Sequence, residues 1–236
     1  MTDKDVMNTQ HSLELAPVGY ANGISTQLAA KQAQDGAQAR LTADEKEAMI
    51  AEAAQHFGHF LTALGCNWQQ DPNSADTPRR VAKAYVHDLW RGRYEPLSEV
   101  TSFPCDGYNG QVFEGNIPLT SMCSHHHQAI LGRVHIAYIP HKDGKVIGLS
   151  KLNRIVEQCS RRGTIQEQMT LAIHHAIDQI CEGNMGIAVM VEAEHHCVSC
   201  RGVKHTGATM KTTQFSGDYL AQDKDYRTEF YQFCHF

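Results

Sequence analysis

A chain of 236 residues, with 42% hydrophobic and 20% charged residues, is long enough for one sizeable domain of ordinary soluble composition. Its formal net charge of −5 argues against broad, non-specific binding to nucleic acid. No apolar run approaches the ~20 residues of a membrane-spanning helix, and residues 1–10 lack the apolar segment of a secretory signal. We therefore expect a cytoplasmic protein whose eight cysteines are reduced, with neither nucleic acid nor membrane as a partner.

The composition of the chain changes at about residue 40. Residues 1–40 are polar, rich in Gln and Ala and without sustained periodicity, which predicts a mobile N-terminal arm. Residues 41–236 are expected to form one domain, with a helical part over about 41–95 and a core over about 100–236.

Two helices are predicted in the helical part. Thr42 and Glu45 have the spacing of a capping box, and apolar residues then recur at helical spacing until Gly65. Thr77-Pro78 is a second start signal, because proline is tolerated in the first turn of a helix. We expect the second helix to continue to Gly92.

From Val100 onward the pattern favours strands. A Gly-Asn turn is expected between strand segments Gln111–Phe113 and Ile117–Ser121, and Asp143-Gly144 is expected to make a hairpin turn. The remaining predicted elements are a strand, two helices and two strands, near residues 129–139, 152–159, 165–180, 186–191 and 208–215. This order predicts an α+β fold in which a helix pair covers one face of an antiparallel sheet.

Histidine and cysteine are concentrated in two runs, Cys123–His127 and His195–Gly202. Such side chains pack poorly in a core, but they are the ligands that Zn²⁺ prefers. Cys123 and His126 stand three apart, so they meet at one ion only if the strand ends there and turns. Two ligands from the first run and one from the second would leave a position open for water, as in catalytic zinc sites.

A closed structural metal site is the alternative interpretation of the same residues. Both thiols of Cys197-x-x-Cys200 could join the two ligands of the first run. That arrangement leaves His125 and His195 without a role.

A basic helix start is a second candidate for chemistry. Lys151 and Arg154 share a face in the first turn of a predicted helix, where free backbone N–H groups also favour an anion. Arg201, close to the second metal run, would extend this positive surface. Alone, the pattern favours a solvated helix face; next to a metal run, it favours an anion site. Glu167, by its spacing alone, is a favourable carboxylate at a helix N-terminus.

Four motifs make the chain resemble the GTP cyclohydrolase I family over about Leu41 to Phe233. The family's motifs Cys-Glu-His-His, Gly-Leu-Ser-Lys-x-x-Arg, Gln-Glu and His-x-Cys-Val-x-x-Arg-Gly correspond to Cys123–His126, Gly148–Arg154, Gln166-Glu167 and His195–Gly202. The resemblance implies the tunnelling fold, in which the sheets of neighbouring subunits join edge to edge into barrels. It also implies a homodecamer of two pentamers, with active sites at subunit interfaces.

The activity that the resemblance implies is zinc-dependent hydrolysis and rearrangement of GTP to 7,8-dihydroneopterin triphosphate. Formate is released, and the reaction is the first step of tetrahydrofolate or pterin biosynthesis. The implied roles are zinc binding by Cys123, His126 and Cys197, acid–base catalysis by His125 and His195, guanine binding by Glu167 with Gln166 nearby, and triphosphate and ribose binding by Ser150, Lys151, Arg154 and Arg201.

Two residues depart from the family's motifs. Ser124 stands where the family has Glu, and His196 stands where it has Tyr. We hypothesise that these exchanges alter the surroundings of the metal without abolishing its binding, because every implied ligand is present. The rival functions are a pyruvoyl-tetrahydropterin-synthase-like lyase, which uses three histidines on zinc, and a catalytically silent zinc-stabilised assembly protein.

Overall fold

The structure, a computed structural model, describes residues 41–95, 97 and 100–235. The predicted N-terminal arm over residues 1–40 lies outside the described residues. Within the described part, no helix is both long enough and apolar enough to cross a membrane.

The first helix, α1 (Ala43–Ala63), begins and ends as its sequence predicts. The backbone N–H of Glu45 donates to Thr42 Oγ1 at 3.2 Å, and the backbone N–H of Thr42 donates to Glu45 Oε2 at 2.7 Å. Gly65 follows the last turn with a φ of 80°, a conformation that favours glycine. The capping box and the stop are therefore confirmed.

The second helical segment is divided into α2 (Thr77–Ala84), a π-helical turn (Tyr85–Leu89) and α3 (Arg91–Tyr94). The prediction of one helix that ends at Gly92 is wrong, because Gly92 lies inside α3. A Cβ atom at this position would collide with the carbonyl oxygens of Gln158 and Arg161. Gly92 is thus explained by close packing of two backbone segments and not by a helix stop.

The four-stranded antiparallel sheet has the order β2-β3-β5-β6. Its strands are β2 (Val112–Met122), β3 (Ala129–Ile139), β5 (Gly186–His195) and β6 (Thr209–Phe215). The expected turn at Gly115-Asn116 is wrong: these residues form an irregularity inside β2, where the register shifts between Glu114 and Ile117.

Two short strands form a separate sheet. They are β1 (Ser102–Pro104) and β4 (Lys145–Ile147), which pair antiparallel. The chain does turn at Asp143-Gly144, but β4 does not pair with β3, so the expected hairpin is wrong. The partner of β4 comes from a segment more than forty residues earlier in the chain.

A helix pair, α4 (Leu149–Ser160) and α5 (Gln166–Ile180), covers one face of the large sheet. Alternate residues of β3, such as Val134 and Ile136, pack in one core with Ile155 of α4 and Ile173 of α5. The predicted α+β fold with helices on one face of an antiparallel sheet is confirmed.

In the described part of the chain, the opposite face of the sheet is covered at one end only. A 3₁₀ turn (Gly217–Leu220) and α7 (Tyr226–Phe233) pack there against Ile139 and Met190, and the sequence patterns did not predict either element. The sheet's own side chains on the rest of this face include an ion-paired row, in which Glu192 contacts Arg133 at 3.1 Å and Lys211 at 3.4 Å.

Candidate active site

The first histidine and cysteine run forms a tight loop between β2 and β3. Cys123 follows the last residue of β2, and its backbone N–H donates to the carbonyl oxygen of Gln128 at 2.9 Å. The backbone N–H of His127 donates to the carbonyl oxygen of Cys123, also at 2.9 Å, and His127 has a φ of 51°. The strand therefore ends and turns at Cys123, as a shared metal site for Cys123 and His126 requires.

The second run lies beside this loop because β5 pairs with β3. His195, the last residue of β5, is opposite Ile130 of β3, and Cys197 follows in the four-residue helix α6 (His196–Ser199). The ligand atoms of Cys123, His126 and Cys197 all lie within 4.8 Å of one another. These three side chains could hold a metal ion.

The chemistry of this donor set fits a borderline-soft divalent cation. Two thiols and one imidazole are typical zinc ligands, and three protein ligands leave a position open for water or substrate. Cys200 is exposed and does not belong to the group, which counts against the closed four-ligand site.

The electrostatics of the two thiols, Cys123 and Cys197, also favour a bound divalent cation. Burial raises the pKa of Cys197, and the neighbouring Cys123 raises it further through a hydrogen bond and through charge repulsion. Arg201 opposes this effect, and its Nη1 donates to the carbonyl oxygen of Cys197 at 3.4 Å. Two adjacent thiolates are unfavourable without a cation, so a divalent ion between them would stabilise the ionised pair.

His195 is held by Gln166, the first residue of α5. Its Nε2 lies 2.7 Å from Gln166 Oε1, while Gln166 Nε2 lies 3.0–3.1 Å from Val191 O, Met210 O and Thr212 Oγ1. The amide nitrogen therefore faces three acceptors, and the amide oxygen accepts a hydrogen bond from the Nε2–H of His195. Neutral His195 consequently has an unprotonated Nδ1.

Two threonines that support Gln166 were not identified from the sequence. Thr170 Oγ1 donates to the backbone oxygen of Gln166 at 2.8 Å and lies 2.7 Å from Thr212 Oγ1. The sequence predicted only a strand near residues 208–215. The hydrogen-bonding role of the two threonines depends on the packing of α5 against β6, which no local pattern records.

Three of the four predicted anion-binding residues lie in the first half of α4, away from the end of that helix beside the metal loop. Ser150, Lys151 and Arg154 occupy the first turns of α4, whereas its last residue, Ser160, lies beside the metal loop, where its carbonyl oxygen accepts from Ser121 Oγ at 2.6 Å. A helix of 12 residues is about 18 Å long. Along the axis, Ser150 is therefore about 15 Å and Arg154 about 9 Å from Ser160. Arg201 lies next to the metal group, since it bonds to the carbonyl oxygen of Cys197.

The two departures from the family motif also lie in this region. The hydroxyl oxygen of Ser124 is buried and, in the described part of the chain, has no hydrogen-bond partner. His196 is the half-buried first residue of α6. Glu167 is exposed beside Gln166, and its charge partly offsets the lowering of the His195 pKa that burial causes.

Comparisons with known proteins identify relatives of this chain. The family model described as GTP cyclohydrolase I matches residues 53–235. The GTP cyclohydrolase 1 of Pseudoalteromonas translucida (strain TAC 125) is 41% identical over 190 residues, which cover 78% of this chain and 98% of that protein. The GTP cyclohydrolase 1 of Bartonella quintana (strain Toulouse) is 49% identical over 147 residues, or 61% and 69% of the two chains.

Among solved structures, the archaeosine synthase QueF-Like in the apo form matches 47% of this chain and 96% of its own. That match has a TM-score of 0.37 and 16% identity, so it is too distant to support a statement about function. The family model and the curated relatives are sufficient: this chain belongs to the GTP cyclohydrolase I family.

Proposed function

We propose that this protein converts GTP to 7,8-dihydroneopterin triphosphate and formate with a zinc ion bound by Cys123, His126 and Cys197. The observation that carries the proposal is the convergence of these three ligand atoms next to His195, in a chain of the GTP cyclohydrolase I family. Zinc held there would supply hydroxide near neutral pH, because zinc lowers the pKa of bound water toward ~7.

The two histidines move protons in this proposal. C8 of guanine is a weak electrophile until N7 is protonated, and His125, exposed in the metal loop, would donate that proton. His195 would accept a proton at Nδ1, since Gln166 holds the proton on Nε2. Hydrolysis at C8 opens the ring to a formamide, a second hydrolysis releases formate, and the opened ribose recloses onto the pyrimidine.

Glu167 would bind the guanine edge through two parallel N–H···O bonds, for which its exposed carboxylate is suited. Gln166 is 1% exposed, and both ends of its amide are hydrogen-bonded within the chain. We therefore assign Gln166 the orientation of His195, with the guanine edge left to Glu167.

The triphosphate would bind at the start of α4, where Ser150, Lys151 and Arg154 accompany a helix N-terminus, and Arg201 would complete the site. Because α4 begins at its end away from the metal loop of its own chain, a neighbouring subunit would supply these three residues. Strands β2 and β6, as the edges of the described sheet, are free to pair with neighbours. A decamer of two pentamers would satisfy both requirements, with residues 41–236 acting as one domain of a cytoplasmic enzyme.

The decisive experiment measures GTP turnover and zinc content on the same sample. Formate is assayed directly, and the pterin is oxidised and detected as fluorescent neopterin. Both products should appear in equal amounts and should vanish in His125→Ala. His175→Ala, which removes an exposed histidine of α5, is the matched control and should retain full activity.

Other results would contradict the proposal in distinct ways. A formamidopyrimidine without pterin would indicate a hydrolase that stops halfway and would implicate Ser124 and His196. Bound zinc with GTP intact would favour the silent zinc-stabilised assembly protein. Conversion of a pyruvoyl-type pterin precursor instead of GTP would favour the lyase.

A further inference from the structure

The ring of His127, next to the proposed zinc ligand His126, packs against two aromatic residues of the helical part, which also contact each other. Its centroid lies 5.9 Å from that of Tyr85 and 5.4 Å from that of Trp90. The Tyr85 hydroxyl lies 3.1 Å from His127 Nδ1, within hydrogen-bonding distance. The helical part of the chain thus contacts the metal loop through a specific polar group.

The π-helical turn explains how Tyr85 and Trp90 reach His127 together. The backbone N–H of Trp90 donates to the carbonyl oxygen of Tyr85 at 2.9 Å, which is a bond across five residues. This wider turn brings the two rings to an edge-to-face contact with centroids 5.2 Å apart. Isolated π-helical turns occur frequently at functional sites, because they cost stability and redirect side chains.

The backbone of His127 also closes the metal loop. Its φ of 51° is in the left-handed region, and its N–H bonds to the carbonyl oxygen of Cys123. Any displacement of the His127 ring would therefore be passed to His126 through one peptide unit and to Cys123 through one hydrogen bond. Zinc ligands must be placed within about 0.2 Å of their ideal distances, so small displacements matter.

We propose that His127 is a positioning residue for the zinc site, and that Tyr85 and Trp90 form the clamp that holds it. The clamp couples the docking of the π-helical turn to the placement of His126. This inference rests on the proposed zinc site, but it concerns residues to which the family motifs assign no role.

The test is a double-mutant cycle with zinc affinity as its readout, measured on the full chain by competition with a chromophoric chelator. Tyr85→Phe removes only the hydroxyl, and His127→Phe keeps an aromatic ring in contact with Tyr85 and Trp90. Each should weaken zinc binding about 10-fold, the lower end of the range for groups that orient metal ligands. The double variant should be no weaker than either single variant, because all three lack the same hydrogen bond.

A spectroscopic readout separates positioning from general loosening. The Co²⁺-substituted protein has visible absorption bands that report ligand geometry, and these should shift in both single variants. Tyr108→Phe is the matched control: it removes a tyrosine hydroxyl that donates to Gln111 O at 2.9 Å, in a turn that contributes no metal ligand, and it should leave affinity and spectrum unchanged.

The possible outcomes distinguish this inference from the function on which it rests. A wild-type protein that binds neither zinc nor Co²⁺ would overturn the proposed function itself. A wild-type protein that binds zinc, with Tyr85→Phe equal to it in affinity and spectrum, would overturn the clamp alone. Additive losses in the double variant would also overturn it, since they would mean that the two side chains act independently.

Discussion

Oε1 of Gln166 lies 2.7 Å from Nε2 of His195, and this contact joins the first residue of α5 to the last residue of β5. The nitrogen of the same amide faces two backbone carbonyls and a threonine hydroxyl, and these contacts fix the orientation of the Gln166 side chain. A side chain fixed at both ends can hold an imidazole in one tautomer and one orientation. Orientation of this kind separates a catalytic histidine from one that is merely nearby.

Replacement of Gln166 by Leu should therefore impair catalysis more than substrate binding. We expect kcat to fall about 10- to 100-fold, part of the ~10²–10⁴ that a positioned acid–base group contributes, with KM for GTP nearly unchanged. Steady-state kinetics would check this, with Gln179→Leu on the exposed side of α5 as the control. A folded Gln166→Leu protein with full kcat would contradict the orienting role.

Because of His135, we expect the free energy of unfolding to fall in acid. This histidine is 1% exposed, and within the described residues neither ring nitrogen has a hydrogen-bond partner. Burial, and then the charge of Arg133, lower its pKa, whereas Glu192 opposes this effect. The pKa of a histidine in the unfolded chain is about 6.5, so below that pH the unfolded chain takes up a proton more readily than the folded one. The contribution of neutral His135 to the free energy of unfolding is therefore complete above about pH 6.5 and is lost as pH falls toward the folded pKa.

His135→Leu should remove part of this acid sensitivity without loss at neutral pH, because no hydrogen bond is broken. Urea unfolding of both proteins between pH 8 and 5, at one fixed protein concentration, measures the difference. The pKa of His174 is also lowered by burial, so a residual slope is expected in the variant. Identical slopes for the two proteins would contradict the assignment to His135.

Cys200 makes the metal site sensitive to oxidation. It follows α6, and its N–H donates to His196 O at 3.0 Å, so it lies one helical turn from Cys197 at a spacing that suits a disulfide. Diamide would take two electrons from the Cys197 thiolate and the Cys200 thiol, with one proton from Cys200 and one from water, and the resulting disulfide would release zinc. Zinc release followed with a chromophoric chelator should be rapid in wild type and in Cys66→Ser, and slow in Cys200→Ser. Equal release from all three proteins would exclude this pair.

Gly92→Ala tests the contact between the helical part and α4. The added carbon would collide with the carbonyl oxygens of Gln158 and Arg161, so we expect a loss of about 1–3 kcal/mol in the free energy of unfolding. Urea unfolding measures it. Gly148→Ala, whose added carbon would meet no atom closer than 3.5 Å, should cost less, about 0.5 kcal/mol, because alanine is a poorer N-cap residue than glycine. Equal stability of the two variants would show that α3 can shift without cost.

The grouping of Cys123, His126 and Cys197 was predictable from the sequence, because clustered thiols and imidazoles have few other uses, and the structure brings the three together as a group that could hold a metal. The capping box at Thr42 was equally local, and the structure confirms it. Both signals lie in the types and spacing of neighbouring residues, and neither depends on which segment packs against them.

The elements that were predicted wrongly depend on distant partners. Gly115-Asn116 suits a turn as well as an irregular strand, and only the pairing of β2 with β3 decides between them. The role of His127 could not be found either, since its partner Tyr85 is 42 residues away in the chain. Features that form where side chains from separate segments meet therefore could not be predicted from the sequence.

The position of the ligands on the sheet has a consequence for folding. Cys123 and His126 belong to the β2–β3 connection, while Cys197 follows β5, so an ion between them would act as a cross-link across one end of the sheet. Like a disulfide that closes a long loop, it would restrict the unfolded chain and raise the free energy of unfolding. The supply of metal would then set how long the folded protein persists, as well as its chemistry. Under zinc starvation, the first effect would be degradation of the enzyme itself.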